Sequence, residues 1–143
     1  MEENCLAELN NLVLVVDLDK TLCAKKLPGE SYANVPPHQD IIRAISNVHD
    51  SGGEVIIESA RNMLTQHNDE SKVIKSVGLD TLTWLDKVNM HYAGIKFGKT
   101  CGTCYIDDKA LRPKEFMNIY NSLKNKKDMV ELNKAIESYL ETH

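Results

Sequence analysis

An unbroken apolar run near the start of the chain predicts a buried β-strand. Residues 12–16 are LVLVV, aliphatic and β-branched side chains with no polar alternation. Such a run is typical of a strand that is covered on both faces, as in a parallel sheet. It ends in Asp17 and Asp19. Two carboxylates therefore follow the predicted strand, at the sheet edge where open α/β proteins bind their ligands.

Strand-like and helix-like segments alternate along the rest of the chain. Apolar residues at helical spacing predict a helix over residues 38–50, which Gly52 and Gly53 end. Further strands are predicted at residues 54–58, 92–97 and 103–106, and further helices at 68–77, at 80–87, from Pro113 onwards and at 129–140. The spacing makes Trp84 a core residue. This alternation predicts a single α/β domain over residues 1–143, a layered sandwich around a parallel sheet.

Composition narrows the class of protein. The chain has 143 residues and a formal net charge of −4, a size that suits one domain with its own core. No segment approaches the ~20 consecutive apolar residues of a membrane span. The first ten residues are acidic, so we expect no secretory signal and a cytoplasmic location. The absence of a dense Lys/Arg stripe argues against binding to duplex nucleic acid.

The cysteines do not predict a disulfide framework, because the four of them are too few and too scattered. Cys101 and Cys104 form a CxxC pattern. A zinc site would need two more ligands at suitable spacing, and a thioredoxin-like redox pair would need a strand before the motif and a helix after it. We therefore interpret both as ordinary thiols near a site.

Reactive side chains follow every predicted strand. They are Asp17 and Asp19 after the first strand, Ser59 and Arg61 after the second, Lys99 after the third, and Asp107 and Asp108 after the fourth. Because parallel strands end at one edge of a sheet, these groups are predicted to gather there. Each has a structural alternative when taken alone: a solvated acid pair, a capping serine or a surface lysine. Acids, a hydroxyl and a lysine in this order together predict phosphoryl transfer.

The same residues carry a resemblance to a known family. DLDKT at 17–21, the serine after the second strand, the downstream lysine and the acid pair resemble the four motifs of the haloacid dehalogenase superfamily of phosphatases. SARNM at 59–63, FGK at 97–99 and YIDDKALRPKEF at 105–116 look like a small capless group linked to capsular polysaccharide and sugar-phosphate metabolism. The resemblance spans about residues 12–116. It implies a three-layer Rossmann-like core with a parallel sheet.

No cap domain is expected over this core. The intervals from Asp17 to Ser59 and from Ser59 to Lys99 are already filled by predicted core elements. The loop at 22–35 is the only candidate cover. An open site of this kind implies either a bulky substrate or a lid from a neighbouring subunit of a homo-oligomer, since excluding water helps phosphoryl chemistry.

The resemblance implies a hydrolase for a small phosphorylated metabolite, expected to be a sugar phosphate. Asp17 is the implied nucleophile that forms an aspartyl-phosphate. Asp19 would protonate the leaving oxygen and then deprotonate the attacking water. Ser59 and Lys99 would bind the phosphoryl group. Arg61 has two equal interpretations, as a ligand for a substrate anion or as a salt bridge that fixes its loop.

The implied cofactor is Mg²⁺. Its ligands would be the Asp17 carboxylate, the Asp19 carbonyl and one acid of the Asp107–Asp108 pair. Neighbouring strand residues face opposite ways, so we expect Asp108 to ligate directly and Asp107 to bind a metal-bound water or the lysine. Two other functions stay open: a nucleic-acid end (3′) phosphatase, which the acidic balance disfavours, and a noncatalytic phosphate-binding scaffold.

Overall fold

A computed structural model of the protein describes residues 12–143 as an α/β fold. In chain order the elements are strand β1 (Val13–Asp17), a short 3₁₀ helix (Tyr32–Asn34), α1 (Gln39–Asp50), β2 (Glu54–Ser59), α2 (Glu70–Lys87), β3 (Gly94–Phe97), α3 (Pro113–Asn121) and α4 (Met129–Thr142). The three strands form a parallel sheet in the order β1-β2-β3. The α/β class and the parallel sheet that the sequence predicts are confirmed.

One face of the sheet is buried and the other is more open. Val16 of β1 aligns with Ile57 of β2, and both belong to the core cluster that includes the apolar residues of α1. Phe97 of β3, on the same face, packs against buried residues of α2. Val15 points to the opposite face and is 63% exposed. The prediction that β1 is covered on both faces is therefore wrong within residues 12–143, because the residues of the predicted strand that join the core cluster, Leu12 and Val16, share one face while Val13 and Val15 on the other face are exposed.

A single helix, α2, replaces the two helices predicted at 68–77 and 80–87. The Asp69 side chain caps it by accepting from the N–H of Lys72 at 3.2 Å. Asp80 lies inside the helix and is exposed. Gly78 is buried, so tertiary packing offsets the roughly 1 kcal/mol that an internal glycine costs. No helix within residues 12–143 has the length and apolar character needed to cross a membrane.

The strand predicted at 103–106 is not formed. Residues 98–112 carry no regular secondary structure, and Ile106 is 98% exposed. The Tyr105 hydroxyl donates to the Thr100 carbonyl and accepts from the Gly102 N–H, so the segment turns back on itself. These local bonds replace the ladder that the two apolar residues, Tyr105 and Ile106, would need in a sheet. Helix α3 then begins at Pro113, as predicted.

Candidate functional site

An ion pair joins the end of β1 to the segment that follows β3. The Lys99 ammonium lies 3.3 Å from Oδ1 of Asp17, and the two side chains are 23% and 37% exposed. The N–H of Lys99 donates to the Ser59 carbonyl at 3.0 Å, which attaches this segment to the end of β2. The ammonium also lies 4.4 Å from the centre of the Tyr105 ring. Residues from three strand ends therefore meet at one sheet edge, as predicted.

A tight turn after β1 presents Asp19. The N–H of Leu22 donates to the Leu18 carbonyl and the N–H of Lys20 to the Cys23 carbonyl, both at 2.8 Å. Lys20 adopts a left-handed φ of 65° to close the turn. Leu18, Leu22 and Cys23 are fully buried and anchor it in the core. The Asp19 side chain stays 30% exposed at the same edge as the ion pair.

Arg61, after β2, holds the Asp19 carboxylate. Its Nε lies 3.1 and 3.2 Å from the two carboxylate oxygens, and Nη2 lies 3.0 Å from Oδ1. Nη1 donates to the Thr81 hydroxyl of α2 at 3.0 Å. The Tyr32 ring stacks over the guanidinium, 4.3 Å from Cζ. The Arg61 side chain is 0% exposed. Of its two sequence interpretations, the loop-fixing salt bridge is the one whose contacts are present.

The Cys23 thiol completes this buried cluster. Its Sγ lies 3.6 Å from Nη2 of Arg61 and 3.4 Å from Oδ1 of Asp19. Burial, and then the neighbouring Asp19 charge, raise the pKa of Cys23 to about 12. Burial also raises the pKa of Tyr32. Both groups are therefore neutral at physiological pH.

Ser59 ends β2 with a fully buried side chain. Its Oγ accepts the N–H of Arg61 at 3.1 Å, which sets the start of the following loop. A hydroxyl both accepts and donates, so this bond leaves the Ser59 proton free to donate to another group.

The structure does not assemble the fourth predicted motif with the others. Asp107 and Asp108 lie in the exposed 98–112 segment, and the Asp107 carboxylate accepts the N–H of Lys109 at 2.8 Å. Within residues 12–143, no group of three or more His, Cys, Asp or Glu side chains could hold a metal ion. The argument that strand alternation turns only one of these two acids to the metal is wrong, because no strand forms there.

A cavity of about 430 Å³ opens beside Lys99. The register aligns Asp17 with Glu58 and Glu58 with Lys96, so these three charged residues form a row across the strands. Glu58 and Lys96 of this row line the cavity. Its lining residues come from β2, α2, β3 and the residues just after β3: Glu58, Glu70, Ile74, Ile95, Lys96, Phe97, Gly98 and Lys99. Gly98 has a φ of 95°, a left-handed conformation that favours glycine. A Cβ there would lie 2.9 Å from the Glu70 carboxyl carbon, so the lack of a side chain lets the Gly98 backbone lie close to the Glu70 side chain.

One solved structure matches this chain closely over most of its length. It is the crystal structure of a structural genomics target from Vibrio cholerae, with a TM-score of 0.72 and 34% sequence identity. The match covers 90% of this chain and 98% of that one. This chain belongs to the same family as the Vibrio cholerae protein. No family model matches the chain, and no curated protein does.

Sequence reasoning missed the surroundings of Arg61. Cys23 lies four residues after Asp19, a spacing that could have suggested contact across one turn. Thr81 is the polar residue among the buried, mostly apolar positions of α2, which is a weak signal for a buried hydrogen bond. Tyr32 offers no sequence signal, because its place over Arg61 depends on the path of the whole loop.

Proposed function

We propose that this protein is a Mg²⁺-dependent phosphatase that hydrolyses a phosphomonoester, of the sugar-phosphate class, through an aspartyl-phosphate at Asp17. The observation that carries the proposal is the Asp17–Lys99 ion pair at the carboxyl edge of a parallel sheet. The resemblance of the four motifs to haloacid dehalogenase phosphatases supports the same chemistry. The finer fold proposed with it is a Rossmann-like core without a cap domain; the third layer expected from the sequence is not found within residues 12–143, where Val15 leaves one face of β1 open.

In the first step an Asp17 carboxylate oxygen attacks phosphorus and the ester P–O bond breaks. The bonding electrons leave with the ester oxygen, which takes a proton from Asp19 and departs as an alcohol. Lys99 is close enough to Asp17 to orient the carboxylate and to attract the incoming phosphoryl group. The partial exposure of Asp17 gives the substrate access to this oxygen.

In the second step water attacks the aspartyl-phosphate. Asp19 removes a proton from the water as its oxygen bonds to phosphorus, and the bond between phosphorus and the Asp17 oxygen breaks. Inorganic phosphate leaves and the Asp17 carboxylate is restored. The Ser59 hydroxyl is fully buried and accepts the N–H of Arg61, so its contacts support the loop after β2 and not direct binding of the phosphoryl group.

The donors near the end of β1 suit Mg²⁺ in their chemistry, since the Asp17 carboxylate and the Asp19 carbonyl are the oxygen ligands that this ion prefers. A third donor would come from Asp108 or Asp107, which lie in the exposed 98–112 segment. When bound, Mg²⁺ would neutralise charge between the carboxylate nucleophile and the anionic phosphoryl group.

The cavity beside Lys99 is the space next to the nucleophile for the organic part of the substrate. Its volume of about 430 Å³ lies within the usual ~300–1,000 Å³ range of small-molecule sites. Its carboxylates and lysines would form hydrogen bonds with sugar hydroxyls. We therefore propose that the substrate is a sugar phosphate. A second subunit is the proposed lid over this site.

The test is hydrolysis of p-nitrophenyl phosphate by the full chain, with and without Mg²⁺. We expect metal-dependent turnover that falls to background in Asp17→Asn, because the amide has no anionic oxygen for attack. Asp80→Asn, which changes an exposed acid on α2, is the matched control and should keep full activity. Absence of metal-dependent turnover in the unaltered protein would refute the proposal.

The substrate class is tested by a panel of phosphorylated metabolites that includes hexose and octulosonic acid phosphates. We expect kcat/KM for a sugar phosphate to exceed that for p-nitrophenyl phosphate, since the cavity adds contacts to the sugar. A preference for oligonucleotide 3′-phosphates would instead support the nucleic-acid end phosphatase.

A further inference from the structure

We propose that Arg61 is a positioning residue that fixes the Asp19 carboxylate for proton transfer. This inference rests on the proposed function and goes beyond it, because the family resemblance assigns Arg61 no catalytic role. A buried cation is costly unless it is fully paired and hydrogen-bonded. Arg61 meets that condition, since Nε and both terminal nitrogens have acceptors inside the protein.

The contacts of Arg61 leave it unsuited to direct binding of substrate. Its side chain is 0% exposed, and the Tyr32 ring covers the guanidinium. In contrast, the Asp19 side chain is 30% exposed. The Asp19 side chain is therefore partly exposed at the sheet edge, while the buried Arg61 guanidinium pairs with its carboxylate from the protein interior.

The guanidinium connects three separate parts of the fold. Arg61 follows β2, and its guanidinium donates to both carboxylate oxygens of Asp19 after β1 and to the Thr81 hydroxyl on α2. A planar fork that touches both oxygens fixes the plane of a carboxylate, which a single point contact from an ammonium cannot do. The orientation of Asp19 is thus set by α2 and the β2 loop, and not by its own turn alone.

Proton transfer is sensitive to such orientation. A displacement of about 1 Å at a reacting group can cost about 10²-fold in rate. The neutral thiol of Cys23 and the phenol of Tyr32 add no competing anion around the guanidinium. Loss of the contacts between the guanidinium and both Asp19 oxygens should therefore impair proton transfer by Asp19 and leave phosphate binding by Lys99 intact.

The experiment is a double-mutant cycle with Arg61→Lys and Asp19→Asn, measured on aryl phosphates of graded leaving-group pKa and on one alkyl phosphate. Arg61→Lys keeps the charge and removes the planar fork. We expect kcat/KM, which reports the first step alone, to fall by about 10²-fold on the alkyl phosphate and much less on the best aryl leaving group, with inhibition by inorganic phosphate nearly unchanged. The double variant should be no slower than Asp19→Asn alone.

Arg61→Lys replaces a buried residue and could unfold the protein, so a milder variant with its own control tests the same role. Thr81→Val removes the acceptor of Nη1 and should steepen the leaving-group dependence in the same direction as Arg61→Lys, by a smaller factor. Thr83→Val, at an exposed position of the same helix, is the matched control and should leave it unchanged.

The outcomes separate this inference from the proposed function. Fully additive losses in the cycle, an equal loss of kcat/KM on every leaving group, or weaker inhibition by inorganic phosphate as the sole change would overturn the positioning role while the unaltered protein stays active. If the unaltered protein hydrolyses none of the substrates with Mg²⁺, the proposed function fails, and this inference fails with it.

Discussion

Replacement of Trp84 by phenylalanine should destabilise the protein by about 2–4 kcal/mol. The Trp84 side chain is 1% exposed, and its indole N–H donates to the Val35 carbonyl at 2.7 Å. Phenylalanine removes the donor and leaves that buried carbonyl unpaired, at a cost of about 1–3 kcal/mol. The smaller ring also loses about 1 kcal/mol of packing. This bond fastens the loop that carries Tyr32 to α2, so the effect is larger than for a typical surface change.

The shift in melting temperature follows from the size of the chain. Unfolding of 143 residues carries an entropy of about 0.3 kcal/mol per kelvin at roughly 2 cal/mol/K per residue. The expected decrease in Tm is therefore about 7–13 °C. Far-UV circular dichroism is the suitable probe, because Trp84 is the only tryptophan and the variant has no indole fluorescence.

The matched control is Leu79→Ala on the same helix. Leu79 is 78% exposed, so its truncation should change the stability by no more than about 0.5 kcal/mol. If Trp84→Phe and Leu79→Ala melt within about 2 °C of each other, the bond to Val35 does not contribute as we reason.

Three further predictions concern the cysteines and the acid pair. The pKa of Cys23 rises from 9.0 to about 12 on folding, so the stabilising contribution of the neutral thiol is complete below pH 9 and is lost as the pH rises towards 12. Cys23→Ala should therefore flatten the fall in the free energy of unfolding over this pH range. An unchanged dependence of that free energy on pH, measured by urea titrations, would contradict this. The double variant Cys101→Ser, Cys104→Ser should alter turnover by less than about threefold, because phosphoryl transfer needs no thiol, whereas stoichiometric zinc that disappears in this variant would reveal a metal site. At least one of Asp107→Asn and Asp108→Asn should raise the Mg²⁺ concentration for half-maximal activity, and an unchanged requirement in both variants would contradict a third donor from this acid pair.

The regular elements with strong local signals could be predicted from the sequence. The β1 run, the helical spacing of α1, the proline that opens α3 and the apolar positions of α4 are each encoded within a few residues. Failures occurred where tertiary contacts decide the outcome. The two helices predicted at 68–77 and 80–87 form one helix, because the core keeps α2 continuous through the buried Gly78. At 103–106 the local bonds of Tyr105 prevail over a weak strand signal.

The candidate site was predictable only in part, for a related reason. The meeting of Asp17 and Lys99 follows from the rule that parallel strands end at one edge, although β2 lies between their two strands. The contact between Arg61 and Thr81 depends on the rotation of α2 relative to the sheet, which no local pattern encodes. The burial of Arg61, and hence the choice between its two interpretations, therefore became clear only in three dimensions.

The two aspartates after β1 are held by different kinds of cation, and the difference suits their proposed roles. Asp17 is paired with Lys99, a flexible point charge that is partly exposed, so an incoming phosphoryl group can share the ammonium without disrupting the core. Asp19 is paired with the buried, planar guanidinium of Arg61, which is also fixed by Thr81. A nucleophile has to exchange its partner as it bonds to phosphorus and is released again, whereas a proton-transfer group has to return to one geometry in both steps. Salt should accordingly weaken the pair at Asp17 much more than the buried pair at Asp19, because screening acts on exposed charges.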